Sequence, residues 1–441
     1  MLGDYQKVQS STFRQDSMEW AVLQRQELLR TLIIYSRVNF KPSDLFGHFS
    51  SLRVLHISFA ADCDRLVSSI SKLKHLRYLY LGVTNVSKLP VNIHKMKFLQ
   101  YIDIIDCQKL RHLPLTTIKL MHLRSLDITG SVNIRAVPKG IGGLTNLRIF
   151  QGFPVHVDMD AGNAWCSLQE LAHLSQLRKL TKYGLEKVSA SWMAEKATIS
   201  TKGHLNYLDL YYNSTAEHTA GPRGEAEQQQ QQSVMEEVFE KLYPPTCLEN
   251  LGIQGGYIGR RLPKWMSAPA SSAGFNSLFL FSLSFVSGRP SHDTCVLHVV
   301  GIDELKHTGM EILKKCDGLP LTIKVVGGLL STRYPSEHEG KVVLTKLAWP
   351  LDGRPPELDS RLYLSYEDMT PQLGQCFLYC SLIPKGQEII QDVVTNMWVS
   401  EGFIQCPAAG SPHEYGLEER ATEYYNELIK RNLIEPKKNI L

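Results

Sequence analysis

Residues 52–57 read Leu52-Arg-Val-Leu55-His-Ile57, and the spacing returns in Leu76-Arg-Tyr-Leu79-Tyr-Leu81, Leu99-Gln-Tyr-Ile102-Asp-Ile104 and Leu123-Arg-Ser-Leu126-Asp-Ile128. Upstream, Leu29-Arg-Thr-Leu32-Ile-Ile34 fits as well, and downstream Leu147-Arg-Ile-Phe150 opens a unit that then departs. The starts at 29, 52, 76, 99, 123 and 147 lie 23 or 24 residues apart. A fixed period of this length marks a stack of like units. Apolar positions at i, i+3 and i+5 do not share one face of a 3.6-residue helix, whereas i+3 and i+5 share one face of a strand. Each unit therefore opens with a short strand. A return limb follows, marked by Leu89-Pro90, Leu113-Pro114 and Val137-Pro138, and by apolar pairs such as Ile93 and Met96 or Ile141 and Leu144. Strand and return limb make one coil of a solenoid, which buries its apolar edge only against its neighbours.

Later strands are less regular: Leu177-Arg-Lys-Leu180, Leu205-Asn-Tyr-Leu208-Asp-Leu210 and Leu248-Glu-Asn-Leu251-Gly-Ile253, the last followed by Leu262-Pro263 and Trp265. Between two of them, residues 214–233 are polar and hold a run of glutamines from Gln228 to Gln232. This composition predicts a disordered insertion. On each strand the residues between the aliphatics face the other way, onto the concave side of the coil. His56, Tyr78, Tyr80, Tyr101, Asp103 and Asp127 are the candidate partner-binding residues there. Tyrosine offers large contact area at low entropic cost, and aspartate adds charge selectivity.

Composition agrees with folded domains: 43% hydrophobic and 21% charged residues over 441 positions, with a net charge of +4. So small a net charge makes no case for nucleic acid. The nine cysteines include no CxxC pair, which excludes the common zinc spacing and fits thiols in a reducing compartment. The polar N-terminus has no secretory signal pattern, and the longest apolar run, near Leu278 to Val286, is too short to span a bilayer. A cytoplasmic location is expected. Nothing resembles a nucleophile elbow or a cluster of metal ligands. Cys376 and Cys380, four apart on an expected helix, read as core residues.

Beyond about Pro290 the repeat stops and helical patterns take over, with Leu305, Ile312, Leu313 and Cys316 on one face. The string CDGLPLTIKVVGGLL, Cys316 to Leu330, resembles the GLPL region of plant nucleotide-binding leucine-rich-repeat immune receptors. The stretch from Leu364 to Gln405 resembles the winged-helix part of their NB-ARC module, and Leu242 to Met266 is similar to a late repeat of the same family in a grass-like version. The fold expected is an α/β leucine-rich-repeat solenoid followed by a mostly α partial NB-ARC region, a helical subdomain plus a winged helix. The expected layout is a partly disordered lead-in at 1–24, the solenoid at 25–270, a linker or fusion seam at 271–296, the helical subdomain at 297–345 and the winged helix at 346–441.

The resemblance implies a role in plant innate immunity, an ADP/ATP-controlled switch, and a nucleotide contact at Gly318, Leu319, Pro320 and Leu321. It also implies a protein partner: a guarded host protein, a pathogen effector or another receptor domain. The sequence departs from that pattern. No Gly-x4-Gly-Lys-Ser/Thr loop exists to hold phosphates, and no apolar strand ends in paired aspartates. The Met-His-Asp signature is absent, and the repeats precede the switch segment rather than follow it. The reading is therefore a non-enzymatic recognition protein without a bound cofactor or metal. Its alternatives are a nucleotide-dependent switch with weak ATPase activity and a non-functional relic.

Overall fold

The computed structural model describes residues 28–35, 45–60, 64–134, 137–154, 166–185, 188, 191–212, 225–255, 263–266, 277–281, 302–316, 320–333, 336–348, 365–405 and 416–435. The chain divides into two compact units, Met1–Val286 and Ser287–Leu441. The expected lead-in at 1–24 lies outside the described residues.

The first unit is a ten-stranded parallel sheet in which every strand pairs with the next in sequence. The strands are β1 (Thr31–Tyr35), β2 (Val54–Ser58), β3 (Tyr78–Gly82), β4 (Tyr101–Ile105), β5 (Ser125–Asp127), β6 (Ile149–Pro154), β7 (Lys179–Tyr183), β8 (Tyr207–Tyr212), β9 (Asn250–Gly255) and β10 (Ser277–Phe281). Register follows the repeat: Leu55 pairs Leu79, Leu79 pairs Ile102, and Ile102 pairs Leu126. These aliphatics and the return-limb residues Ile70, Ile93, Ile141 and Leu144 form one continuous core. The return limbs are mostly short 3-10 turns, such as Ile93–Lys95 and Ile141–Gly143, because Pro and Gly leave too few residues for an α-helix.

Just ahead of each strand a carbonyl accepts two amides of the next coil. Arg30 O accepts from Arg53 N and Val54 N at 2.7 and 3.0 Å, and Arg53 O accepts from Arg77 N and Tyr78 N at 2.8 and 3.0 Å. The pattern continues through Arg77, Gln100, Arg124, Arg148, Arg178 and Asn206. At the other end of the strands, Thr84, Cys107 and Ser131 form a buried polar row. Ser131 Oγ donates to Ile104 O at 2.8 Å and accepts from Cys107 N at 2.9 Å. Four successive coils then turn through a left-handed residue: Phe59, Val83, Asp106 and Gly130, with φ from 50° to 72°. Valine is the worst suited of these, because its β-branch meets the carbonyl in that conformation. Val83→Gly is expected to stabilise the first unit by about 1 kcal/mol in urea titration. A loss of stability would show that the exposed Val83 side chain contributes more than the backbone strain removes.

Two expectations are corrected here. The polar stretch at 214–233 is not an insertion without structure: residues 225–233 begin a 17-residue helix, Glu225–Lys241. Its Glu, Ala and Gln residues are good helix formers. Its later turns bury Met235, Val238 and Phe239, followed by Leu242, against the solenoid core at helical spacing. Residues 213–224 lie outside the described residues. The expected seam at 271–296 also contains β10, where Leu278 pairs Leu251 and Leu280 pairs Ile253. The Ser-Leu-Phe-Leu-Phe alternation continues the sheet instead of separating two modules.

The second unit is helical, with helices α1 (Ile302–Lys315), α2 (Pro320–Ser331), α3 (Glu337–Ala348), α4 (Pro371–Tyr379), α5 (Gln391–Glu401) and α6 (Leu417–Lys430). Pro320 opens α2, a position where its missing N–H costs nothing. Gly402, at φ 85°, closes α5 by accepting the left-handed cap. Thr370 caps α4 through its side chain, accepting from Leu373 N. All residues of α5 from Val394 to Glu401 are buried, with Trp398 wholly enclosed. Cys376 and Cys380 lie in this core, where burial raises both thiols, Cys380 to about 12.

Candidate partner-binding face

Period-two alternation sends every second strand residue away from the core. In register, Ile33, His56, Tyr80, Asp103, Asp127 and Gln151 follow one another across six strands. A parallel row, Val54, Tyr78, Tyr101 and Ser125, runs beside it. The expected residues are thus gathered on one face. Their rings meet: His56 stacks on Tyr80 with centroids 4.0 Å apart and nearly parallel, while Tyr35 lies tilted on His56 at 4.7 Å and Tyr78 tilted against Tyr101 at 6.2 Å.

Exposure departs from the expectation. Tyr78 and Tyr101 are 0% exposed, His56 2% and Asp103 5%. Only Tyr80 and Asp127 of the six are half-buried. A strand such as β2 is buried at every residue, and on this face the neighbouring rings pack on one another across the strands. The alternation places a residue on a face; it does not say whether that face meets solvent.

Burial also sets the chemistry. It pushes His56 down to about 3, so the ring is neutral at physiological pH and its Nε2 shares a 2.8 Å hydrogen bond with Ser58 Oγ. Burial pushes Tyr35 up to about 12, and burial together with the Asp103 carboxylate raises Tyr78 and Tyr80. Gly82 makes the stack possible. A Cβ there would stand 2.4 Å from Tyr80 Cε1, so any side chain would displace the ring.

The C-terminal half of the face carries residues that were legible only as later strands. Tyr183 and Tyr211 stack with centroids 4.2 Å apart. Tyr207 OH donates to Asp209 Oδ2 at 2.6 Å, and the Asp209 carboxylate fills the space left by Gly252, where a Cβ would be 1.8 Å from Oδ1. Burial raises Asp209 and the Tyr207 hydrogen bond lowers it, with a net rise. Tyr183, Tyr207 and Tyr211 are half-buried, so access is greater here than around Tyr78. The signal was the same inter-aliphatic position used for Tyr78 and Tyr80.

Of the positions implied to contact nucleotide, Gly318 and Leu319 lie outside the described residues, and Pro320 and Leu321 form the first turn of α2. No group of three or more metal-ligating side chains occurs among the described residues. No helix among them is long and apolar enough to cross a membrane.

Residues 29–286 match the leucine-rich repeat region model, and residues 382–440 match the disease resistance protein winged helix domain. The chain belongs to the leucine-rich-repeat family of plant disease resistance proteins. Disease resistance RPP13-like protein 4 of Arabidopsis thaliana is 36% identical over 135 residues, 30% of this chain and 15% of the relative. Disease resistance protein RPM1 of the same plant is 34% identical over 134 residues, covering 30% and 14%. The RPP13-like protein 2 aligns more broadly, 23% identical over 399 residues, covering 79% of this chain and 46% of the relative. This disease resistance protein therefore spans under half the length of the relatives it matches. Its winged helix follows the repeats.

Proposed function

We propose that the chain acts in plant defence by holding a protein partner on the strand face of its repeats, in the cytoplasm and without catalysis. The observation that carries this reading is the set of half-buried residues Tyr80, Asp127, Tyr183, Tyr207 and Tyr211, spread over three neighbouring register rows on the same face of one continuous sheet. A rigid scaffold that presents aromatic and acidic groups at fixed spacing suits recognition, since little side-chain freedom is lost on binding. The partner class is a host protein, a pathogen effector or another receptor domain. Nucleotide is not part of the reading: the Gly-x4-Gly-Lys-Ser/Thr loop that cradles phosphates is missing from the sequence, and Pro320 alone supplies no charge-assisted contact.

The test is quantitative proximity labelling in leaf tissue with the full chain and with a Tyr80→Ala, Tyr183→Ala, Tyr211→Ala variant. A partner retained by the parent and lost by the variant, with unchanged circular dichroism, supports the face as the contact. A partner set indifferent to the variant overturns it. Calorimetry with ADP checks the second half of the reading, which micromolar binding would defeat.

A further inference from the structure

The net charge of +4 conceals a strong local asymmetry. Between Lys72 and Arg124 there are ten lysines and arginines and only two aspartates, Asp103 and Asp106. Register places these residues. The leucines Leu76, Leu99 and Leu123 open three consecutive coils, so the residues one, two and four positions before them occupy equivalent places. They form a grid three residues deep and three coils wide: Lys72, Lys74 and His75; Lys95, Lys97 and Phe98; Lys119, Met121 and His122. All nine are exposed. The 3-10 turns that carry the first column touch from coil to coil, and the His75 and Phe98 rings stack with centroids 5.7 Å apart, so the grid is continuous.

Three features define it. It holds five lysines and no acid. Among the described residues, no carboxylate lies within ion-pair distance of Lys74, Lys95, Lys97 or Lys119. Asp103 sits in mid-strand and Asp106 beyond the far end of β4, while Asp64 is engaged by Ser87 N and Oγ at 2.6 and 2.7 Å. The grid also ends sharply: the equivalent residues are His48, Ser50 and Ser51 on one side and Gly143, Thr145 and Asn146 on the other. Finally, Phe98 and Met121, 49% and 52% exposed, stand among the lysines.

We propose that this rim, formed where the strands begin, docks on an anionic membrane surface. Lysine is a point charge on a flexible apolar stem, which lets the ammonium reach phosphates while the stem and neighbouring apolar groups sit lower in the headgroup layer. Phe98 and Met121 are the side chains that would enter that layer, as the apolar residues of interfacial segments do. An acidic protein groove would favour arginine, whose planar fork pairs carboxylates in two places. The grid itself holds no arginine: Arg77 and Arg124 occupy the half-buried position after Leu76 and Leu123, and Arg111 lies outside it. This surface is distinct from the strand face assigned to a protein partner and does not depend on that reading.

The experiment is co-sedimentation of the full chain with phosphatidylcholine vesicles and with vesicles that also contain phosphatidylserine. Binding is expected only with the anionic lipid and is expected to vanish at about 1 M salt, where charges are screened within about 3 Å. Each lysine near an anionic surface contributes about fivefold in partitioning. Lys74→Ala, Lys95→Ala and Lys97→Ala together should therefore weaken binding roughly 100-fold. Removal of Lys314, Lys385 and Lys430 from the second unit, an equal change in net charge, should leave it unaltered. Phe98→Ser alone should weaken it severalfold. No binding by the parent chain, or equal loss in both triple variants, would overturn the assignment. So would salt-sensitive binding of polyglutamate with vesicles ignored, which would make the rim an acidic-protein contact.

Discussion

Lys182→Met is expected to stabilise the repeat unit by about 3 kcal/mol at pH 7, with a matching rise in the urea midpoint. Lys182 stands where every regular coil has an aliphatic. It pairs Phe153 on one side and Leu210 on the other, both in the main core, and is 1% exposed. Its Nζ is buried without a hydrogen-bond partner. Lys202 shows the contrast: it is equally buried, but its Nζ donates to Leu171 O and Leu174 O at 2.5 and 3.1 Å and so ties two coils together. Burial pushes Lys182 down to about 7, partly offset by the nearby Cys166. Holding a lysine neutral at pH 7 against its ordinary 10.5 costs at most about 5 kcal/mol, at 1.36 kcal/mol per pH unit. Methionine removes that cost and matches the length of the chain it replaces.

The same residue predicts a pH dependence. An unfolded lysine keeps its proton up to about 10.5, whereas folded Lys182 releases it near 7. Between those values the unfolded chain binds the extra proton, so raising the pH favours the folded state, by up to about 1.4 kcal/mol per unit. Lys202, pushed down to about 8 by burial, adds in the same direction. Above about pH 9 the buried Cys166 thiol and Tyr80 phenol, both held high, act in the opposite sense. Stability measured from pH 7 to 9 should therefore climb in the parent chain and climb less in Lys182→Met. Equal stability of the two proteins at pH 7 would mean that Lys182 finds a partner in solution.

The solenoid was legible because its signal repeats. A strand with aliphatics at Leu79 and Leu81 is ambiguous alone, but six starts at a constant step leave one periodicity standing. The misreadings fall where one principle masked another. Polar composition at Gln228 to Gln232 outweighed the helical spacing of Met235, Val238, Phe239 and Leu242 just beyond. The run at Leu278 was read by its hydrophobicity, although its alternation repeats that of β9. Alternation places the concave residues on one face, yet His56, Tyr78, Tyr101 and Asp103 are buried, since nothing in a single strand's sequence reports how tightly its side chains pack against those of the neighbouring coils. Lys182 escapes the pattern for the opposite reason: Leu177 and Leu180 mark the strand, and its next core position carries a lysine where the repeat calls for an aliphatic.

Asp368→Ala should destabilise the second unit by about 3 kcal/mol, seen as the loss of its transition at a denaturant concentration that leaves the sheet intact. Asp368 ends the Ser365-Tyr-Glu-Asp stretch and bridges two arginines from distant parts of the unit. Oδ1 accepts from Arg333 Nη2, just past the end of α2, and Oδ2 accepts from Arg431 Nη1, just past the end of α6, at 3.2 Å. Outer carboxylates complete the array: Glu339 takes Arg333 Nη1 at 2.6 Å and Glu427 takes Arg431 Nε at 2.8 Å. The same corner is closed by apposed backbone. A Cβ on Gly328 would stand 2.3 Å from the Arg431 carbonyl carbon, Asn432 Nδ2 donates to Lys324 O at 2.9 Å, and Ser331 Oγ reaches Lys430 O at 3.2 Å. The expected subdomain boundary near 345 is thus crossed by α2 packing on the end of α6. Arg431 is 9% exposed in its side chain and Arg333 17%, so deleting the shared carboxylate leaves two poorly solvated cations with one carboxylate each and with unfilled donors at Nη1 of Arg431 and Nη2 of Arg333. Partial exposure keeps the loss below that of a fully buried triad. A cycle with Arg431→Met separates attraction from packing: the double variant should lose less than the sum of the singles by at least about 1 kcal/mol. Additive losses, or a change under about 0.5 kcal/mol for Asp368→Ala, would show that Gly328 and its neighbours hold this corner without the charges.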